Sequence, residues 1–346
     1  MVEGDHWDRF AFYASCMVTL HIDTKEMVVS HFKLETVLDR MPHCFSHLTK
    51  LTISLTSKTK TPPTTLLRLI ANAPLEIICI NSYPNSNPDF NLFTILQPFS
   101  STTSLQGLKL EIPSHPAKFC PLVPCWNKLT DVTITLTFGN VMEDVDTIFD
   151  SLSKLPLLAC LQLDPIGESN SQRQYQFLNL KRLEINFYIE LIGFIENICT
   201  PRLDHIHIHF MTPLTEPTWS NIFGHIKSCN PTQTLTTIVV EMEQDYDTPF
   251  EIPDEVPRWE SFNENTLCSL YNFRNLICLE IRPGISCHLL TDEFYTTVPM
   301  HWPMLKTLQL GGNLIFPTPD PVATPEGVVA ILDGCKQLKR LYIPHV

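Results

Sequence analysis

The sequence predicts an α/β solenoid of horseshoe type, with parallel strands on its concave face and helices on its convex face. Three observations predict it. The first is the segment 305–313, in which Leu305, Leu308, Leu310 and Asn313 give the spacing L-x-x-L-x-L-x-x-N. On a strand these leucines point to one side and the alternate residues to the other. Asn313 is then placed to hydrogen-bond the backbone as the chain turns away. The second is that the apolar triplet recurs in order along the whole chain. The third is that stretches with helical spacing fill the intervals.

The triplets begin with Met17/Leu20/Ile22, Leu48/Leu51/Ile53, Leu75/Ile78/Ile80 and Leu105/Leu108/Leu110. They continue as Leu129/Val132/Ile134, Leu158/Leu161/Leu163, Leu180/Leu183/Ile185 and Leu203/Ile206/Ile208. The last four are Leu235/Ile238/Val240, Leu276/Leu279/Ile281, Leu305/Leu308/Leu310 and Leu338/Leu341/Ile343. That makes about twelve units in a single array over 1–346, with third anchors 22 to 41 residues apart. A period of this size, with one strand and one helix per unit, reads as an irregular leucine-rich-repeat solenoid.

Residues 1–22 read as an N-terminal cap and first strand, with Trp7, Phe10 and Tyr13 on one helical face. Helical spacing covers 64–72, 144–155, 190–199, 218–229 and 324–335. The last opens Thr324-Pro325-Glu326, an N-cap, a proline at the first helical position and an acid in the first turn. Asn holds the turn position only at 313; Thr56, Pro113, Thr137, Tyr188 and Glu243 hold it elsewhere, which predicts uneven curvature. Cys44, Cys125 and Cys199 stand four residues before a first anchor and Cys335 three before, as small buried side chains at helix-to-strand corners.

Residues 241–267 form an acidic insertion, with nine acids against Arg258. Pro249, Pro253 and Pro257 recur every four residues and favour an extended loop there. Such a loop is either a solvated surface or a docking element for a basic partner.

The net charge of −13 and the absence of basic runs argue against nucleic acid as a partner. No apolar stretch approaches the ~20 residues of a membrane span, so no membrane partner is expected. Twelve cysteines without a C-x-x-C pair, and no secretory leader or glycosylation sequon, point to a reducing cytoplasmic or nuclear setting. The phosphate-cradling glycine loops, the G-x-S-x-G elbow and H-E-x-x-H are missing. The expectation is a protein that is not an enzyme, with no cofactor and no metal ligand assigned.

Three local signals bear on chemistry. His205, His207 and His209 alternate on one strand, near Glu184 and Glu241 on the neighbouring ones. A zinc site there, serving a metal-dependent enzyme, is the remote alternative, because three same-face positions span about 13 Å and one ion does not reach all three. Cys120-x4-Cys125 with His115 resembles half a zinc site without its second half, and reads as a proline-rich loop. Glu143, Asp144 and Asp146 read as the acidic first turn of a helix rather than a calcium loop.

The side opposite the anchors should bind a protein partner. Its candidate contacts are Arg182, Glu184, Asn186, His205, His207, His209, Glu241, Glu280 and Arg282. Mixed charge of this kind suits recognition by hydrogen bonds and ion pairs.

The opening segment Asp5-His-Trp7-Asp-Arg9-Phe10-Ala-Phe-Tyr13-Ala14-Ser15-Cys-Met-Val18-Thr-Leu20 resembles the start of the array in large fungal (basidiomycete-type) F-box/leucine-rich-repeat families. There a Trp, an Arg-Phe pair and a Tyr-Ala-Ser run lead into the first strand. The resemblance implies the substrate-binding array of an adaptor for a cullin–RING ubiquitin ligase. It also implies a Skp-type linker as partner, through an F-box that has no recognisable counterpart before Trp7. The alternative is a free-standing leucine-rich-repeat scaffold with no ubiquitin role.

Overall fold

The computed structural model describes residues 4–23, 41, 43–55, 64–82, 92–112, 116–136, 145–166, 173–187, 195, 197–210, 216–230, 233–242, 263–282, 290–311 and 324–343. They belong to two compact units, Met1–Gly167 and Glu168–Val346.

The first unit opens with helix α1 (Gly4–Cys16) and carries strands β1 (Thr19–Asp23), β2 (Lys50–Leu55), β3 (Ile77–Ser82), β4 (Gly107–Ile112), β5 (Asp131–Leu136) and β6 (Cys160–Ile166). Each strand pairs in parallel with the next in the chain, and the second and third anchors stay in register throughout: Leu51↔Ile78, Ile78↔Leu108, Leu108↔Val132, Val132↔Leu161. Between strands lie α2 (Thr64–Ala71), α3 (Leu92–Leu96) and α4 (Val145–Leu152). In α4 the buried residues are Val145, Ile148, Phe149 and Leu152, the i, i+3, i+4, i+7 stripe of a helix laid on a core.

The second unit repeats the plan with β8 (Arg182–Phe187), β10 (His205–Phe210), β11 (Thr237–Met242), β12 (Cys278–Arg282), β13 (Thr307–Leu310) and β14 (Arg340–Tyr342). These too are parallel and sequential. A separate two-residue pair, β7 (Tyr175–Gln176) and β9 (Ile198–Cys199), sits beside them in the chain order. The helices are α5 (Glu216–Cys229), α6 (Glu264–Leu267), α7 (Asp292–His301) and α8 (Pro325–Gly334). Helix α5 buries Trp219, Ile222, Phe223 and Ile226, again the helical stripe.

One hydrogen-bond device recurs in both units. At successive strands the carbonyl two residues before a second anchor accepts two successive N–H groups of the following repeat. Thr49 O takes Glu76 and Ile77, Gln106 O takes Thr130 and Asp131, and Asp204 O takes Thr236 and Thr237. The same pairing brings Ile277 and Cys278 to Thr236 O, and Lys339 and Arg340 to Lys306 O. Backbone groups that would be orphaned at strand entry are thereby satisfied, and the stagger of each strand on the next is fixed.

From Leu48/Leu51/Ile53 to Leu305/Leu308/Leu310, all ten anchor triplets are at most 2% exposed. Each such side chain contributes roughly 1.5–3 kcal/mol by leaving water. The outermost triplets differ: Met17, Leu20, Leu338, Leu341 and Ile343 are only half-buried. A fourth apolar position appears three residues before the first anchor. It is filled by Phe45, Trp126, Phe177, Phe273, Trp302 and Cys335, all buried. At each of these the carbonyl accepts the N–H of the first anchor, closing a tight turn into the strand.

Several expectations need correction. Cys44 and Cys335 are buried at their corners, but Cys125 is exposed and Cys199 half-buried. Trp126 takes the interior place beside Cys125, and its Nε1 donates to Phe99 O at 3.0 Å. The proline-rich segment 116–125 is a run of 3-10 turns rather than a loop, with Phe119, Cys120, Leu122 and Val123 buried. Within 190–199 the described C-terminal end is strand, not helix, because Ile198 and Cys199 pair with Tyr175 and Gln176. In α1, Phe10 and Tyr13, from the aromatic face named above, are exposed. Asp146 lies in the first turn of α4 as expected. Glu143, Asp144, His115, Asn313, the five other turn positions and residues 243–262 of the acidic insertion lie outside the described residues. Among the described residues no helix is long and apolar enough to cross a membrane.

Candidate functional site: the polar wall of the second unit

Strands β8, β10, β11 and β12 turn their anchors into the core, so alternation sends the intervening residues to the opposite face. The register places them in rows. His205 aligns with Arg182 and Thr237, and Thr237 with Cys278. His207 aligns with Glu184 and Val239, and Val239 with Glu280. His209 aligns with Asn186 and Glu241, and Glu241 with Arg282. All nine residues expected on this wall are therefore on it, carried by four adjacent strands.

Glu241 is the hub. Its Oε1 lies 2.9 Å from His207 Nε2 and 3.2 Å from His209 Nδ1, and its Oε2 lies 2.5 Å from Arg282 Nη1. Arg282 Nη2 also meets Glu280 Oε2, so the guanidinium fork spans two carboxylates on one side of the wall. On the other side Arg182 Nη2 lies 3.3 Å from Glu184 Oε2. His207 reaches diagonally to Glu241 because its own row offers Val239 on that side, which has no acceptor. The carboxylates of Glu184, Glu241 and Glu280 are only 16–18% exposed, which strengthens each contact over its value at an open surface.

The electrostatics follow from this burial. Glu241 is held below the usual carboxylate range, first by the hydrogen bond from His207 and further by the charges around it. His209 is pushed below the ordinary imidazole value, mainly by burial and then by His207. Burial and the charge of Arg182 do the same to His205. The contact of His209 with Glu241 is thus the close approach of a neutral ring to a carboxylate at neutral pH, not an ion pair. Ionised Glu241 only accepts, so His207 carries a hydrogen on Nε2.

The three histidines separate into a pair and a single. The rings of His207 and His209 have centroids 3.8 Å apart at 39°, whereas His205 and His207 are 6.5 Å apart and edge-on. His205 Nε2 is buried with no hydrogen-bond partner among the described residues. Glu184, His207 and His209 each place one ligand atom within 4.8 Å of the others.

Cys278, two residues before Glu280 on the same face, was not foreseen. Burial and the Glu280 carboxylate push its thiol up to about 12, so it is protonated at neutral pH and no nucleophile. The alternation that located Glu280 and Arg282 also locates Cys278. No protein-family model matches the sequence, and no curated protein matches it either.

Proposed function

We propose that the chain is a leucine-rich-repeat array that recognises a protein partner through the polar wall of its second unit. The observation that carries this reading is the half-buried network centred on Glu241. It holds Glu280, Arg282, His207 and His209 in one arrangement before any partner arrives, which lowers the ordering cost of binding. The strand-to-strand ladder and the ten buried triplets support the repeat reading. They leave the wall as the face on which side-chain chemistry varies.

Within this reading the array is the substrate-binding part of an F-box-type adaptor for a cullin–RING ubiquitin ligase, supported by the likeness of the Asp5–Leu20 segment. Co-expression with a Skp-type linker followed by gel filtration tests the adaptor role. Co-elution sustains it, and separate elution leaves a recognition scaffold without a ligase link.

The wall itself is tested by site-specific photo-crosslinking in cells. A crosslinker at Gln309 on β13, beside Glu280 in the register, should capture one protein. Addition of E241A should abolish the capture. Capture at Gln309 no stronger than at Val329 on the exposed side of α8 would sink the assignment of the wall.

A further inference from the structure

The pair His207 and His209, with Glu184 opposite on β8, forms a ligand set that partner recognition does not require. One ring nitrogen of each histidine and one oxygen of Glu184 lie within 4.8 Å of one another. The set is also pre-oriented. Glu241 accepts from His207 Nε2 at 2.9 Å, and His209 Nε2 lies 3.9 Å from Glu184 Oε1. Arg182 meanwhile holds the other oxygen of Glu184, Oε2. Carboxylates that take the second ring hydrogen are also the usual support of metal-ligating histidines.

We propose that Glu184, His207 and His209 bind one divalent transition-metal ion, with zinc the best match, and that Glu241, by accepting from His207 Nε2, holds that ring with its Nδ1 left for the ion. Two imidazoles and one carboxylate suit zinc and its first-row neighbours; magnesium and calcium favour all-oxygen sites. Ligand bonds of about 2.0–2.2 Å put the donor atoms of a tetrahedral site roughly 3.4 Å apart. Closing the set therefore takes side-chain shifts on the order of 1 Å, within reach of rotamer adjustment while the strands stay in register. His205 stands outside, its ring centroid 6.5 Å from that of His207. Three protein ligands leave a fourth position for water or for a donor group of the bound partner.

The test uses the full chain, stripped with a chelator and dialysed against zinc near neutral pH, with bound metal measured by mass spectrometry. Cobalt(II) in its place should show the visible absorption of a tetrahedral nitrogen and oxygen site. We expect one equivalent on the wild type, unchanged in H205A. E184Q and H209A should lose affinity, and E241Q should weaken it roughly 10- to 100-fold as an outer partner. Circular dichroism establishes that each variant is folded; E184Q, a near-isosteric change, keeps the test open where a histidine variant fails to fold. Less than about a tenth of an equivalent on folded wild type overturns the site. So does a full equivalent retained by E184Q and H209A. A metal-free wall leaves the recognition reading to its own crosslinking test.

Discussion

Trp126 in the first unit and Trp302 in the second occupy the same place, three residues before a first anchor and fully buried. Trp126 Nε1 donates to Phe99 O at 3.0 Å, and Trp302 Nε1 donates to Leu270 O at 3.2 Å. Phe99 O also takes Thr102 N–H, as Leu270 O takes that of Phe273. The backbone of the two units is thus built by the same devices down to single hydrogen bonds. Their walls are not alike. Between the second and third anchors the first unit carries His21, Thr52, Cys79, Lys109, Thr133 and Gln162; the second carries Glu184, His207, Val239, Glu280, Gln309 and Tyr342. The lesson is a division of labour along each strand, in which anchors fix the fold and the alternate positions are free to carry chemistry.

The largest effect should come from breaking what the units share. Leu108→Asp with Leu110→Asp in the first unit, or Leu308→Asp with Leu310→Asp in the second, buries carboxylates among apolar side chains at a cost of several kcal/mol each. Limited proteolysis read by mass spectrometry should show loss of protection in the unit that carries the change. Retention of protection after Leu308→Asp/Leu310→Asp would show that the anchor register is wrong.

Glycines sharpen the contrast through the sign of one substitution. A Cβ at Gly107 on β4 meets Ile77 Cγ1 at 3.4 Å, an ordinary contact, whereas one at Gly327 on α8 meets Asp292 Oδ1 at 2.4 Å and one at Gly334 meets Pro299 Cγ at 2.2 Å. Ala gains up to about 1 kcal/mol over Gly inside a helix, but the backbone and ring of α7 leave α8 no room to use it. We expect Gly107→Ala to be neutral or slightly stabilising. Gly334→Ala should cost roughly 1–3 kcal/mol in thermal or denaturant unfolding. Equal effects at both sites would mean that α7 and α8 are not packed this closely.

Next in size come Trp126→Phe and Trp302→Phe, each expected to cost about 1–2 kcal/mol. The loss stays modest because the accepting carbonyl keeps its backbone partner in both cases. Matching costs, measured by denaturant unfolding, would confirm that the two tryptophans do one job. A cost confined to Trp302→Phe would break the equivalence.

Much of this was legible in the residues. Period-2 alternation within each triplet locates the strands, and the same alternation names nine wall residues from Arg182 to Arg282, though not Val239 or Cys278. The ionic pairing was only half legible. That Glu241 serves His207 as well as His209 depends on Val239 offering no acceptor and on the parallel register. That register is set by intervals of 22 to 41 residues that no local pattern constrains. The fourth apolar position escaped notice because its occupants, Phe, Trp and Cys, share burial but not shape. Cys125 misled for the same reason: at a corner one residue wide, the larger Trp126 takes the interior and the thiol is left outside. Segment 116–125 deceived through its prolines, which bar an α-helix interior yet fit short 3-10 turns.

The smallest expected effect is a pH dependence on the helical side of the second unit. Asp292, in the first turn of α7, accepts from Thr324 N–H at Oδ1 and from the Thr324 hydroxyl at Oδ2, both at 2.8 Å. The backbone bond first and the hydroxyl second hold its carboxyl below the usual range. A lowered folded value means that the unfolded chain binds more protons as the medium turns acid. The stabilisation is therefore complete above the unfolded value near ~3.9 and is lost as pH falls through the folded one. Asp292 lies at the surface, half-exposed to solvent that screens its charge, so the effect is small. Glu326 lies against the same hydroxyl and is lowered in the same sense, so E326Q is the control. The unfolding midpoint of the wild type should exceed that of D292N at neutral pH, and the gap should close in acid. A gap that stays constant across that range would show that the Asp292 charge does not tie α7 to the start of α8.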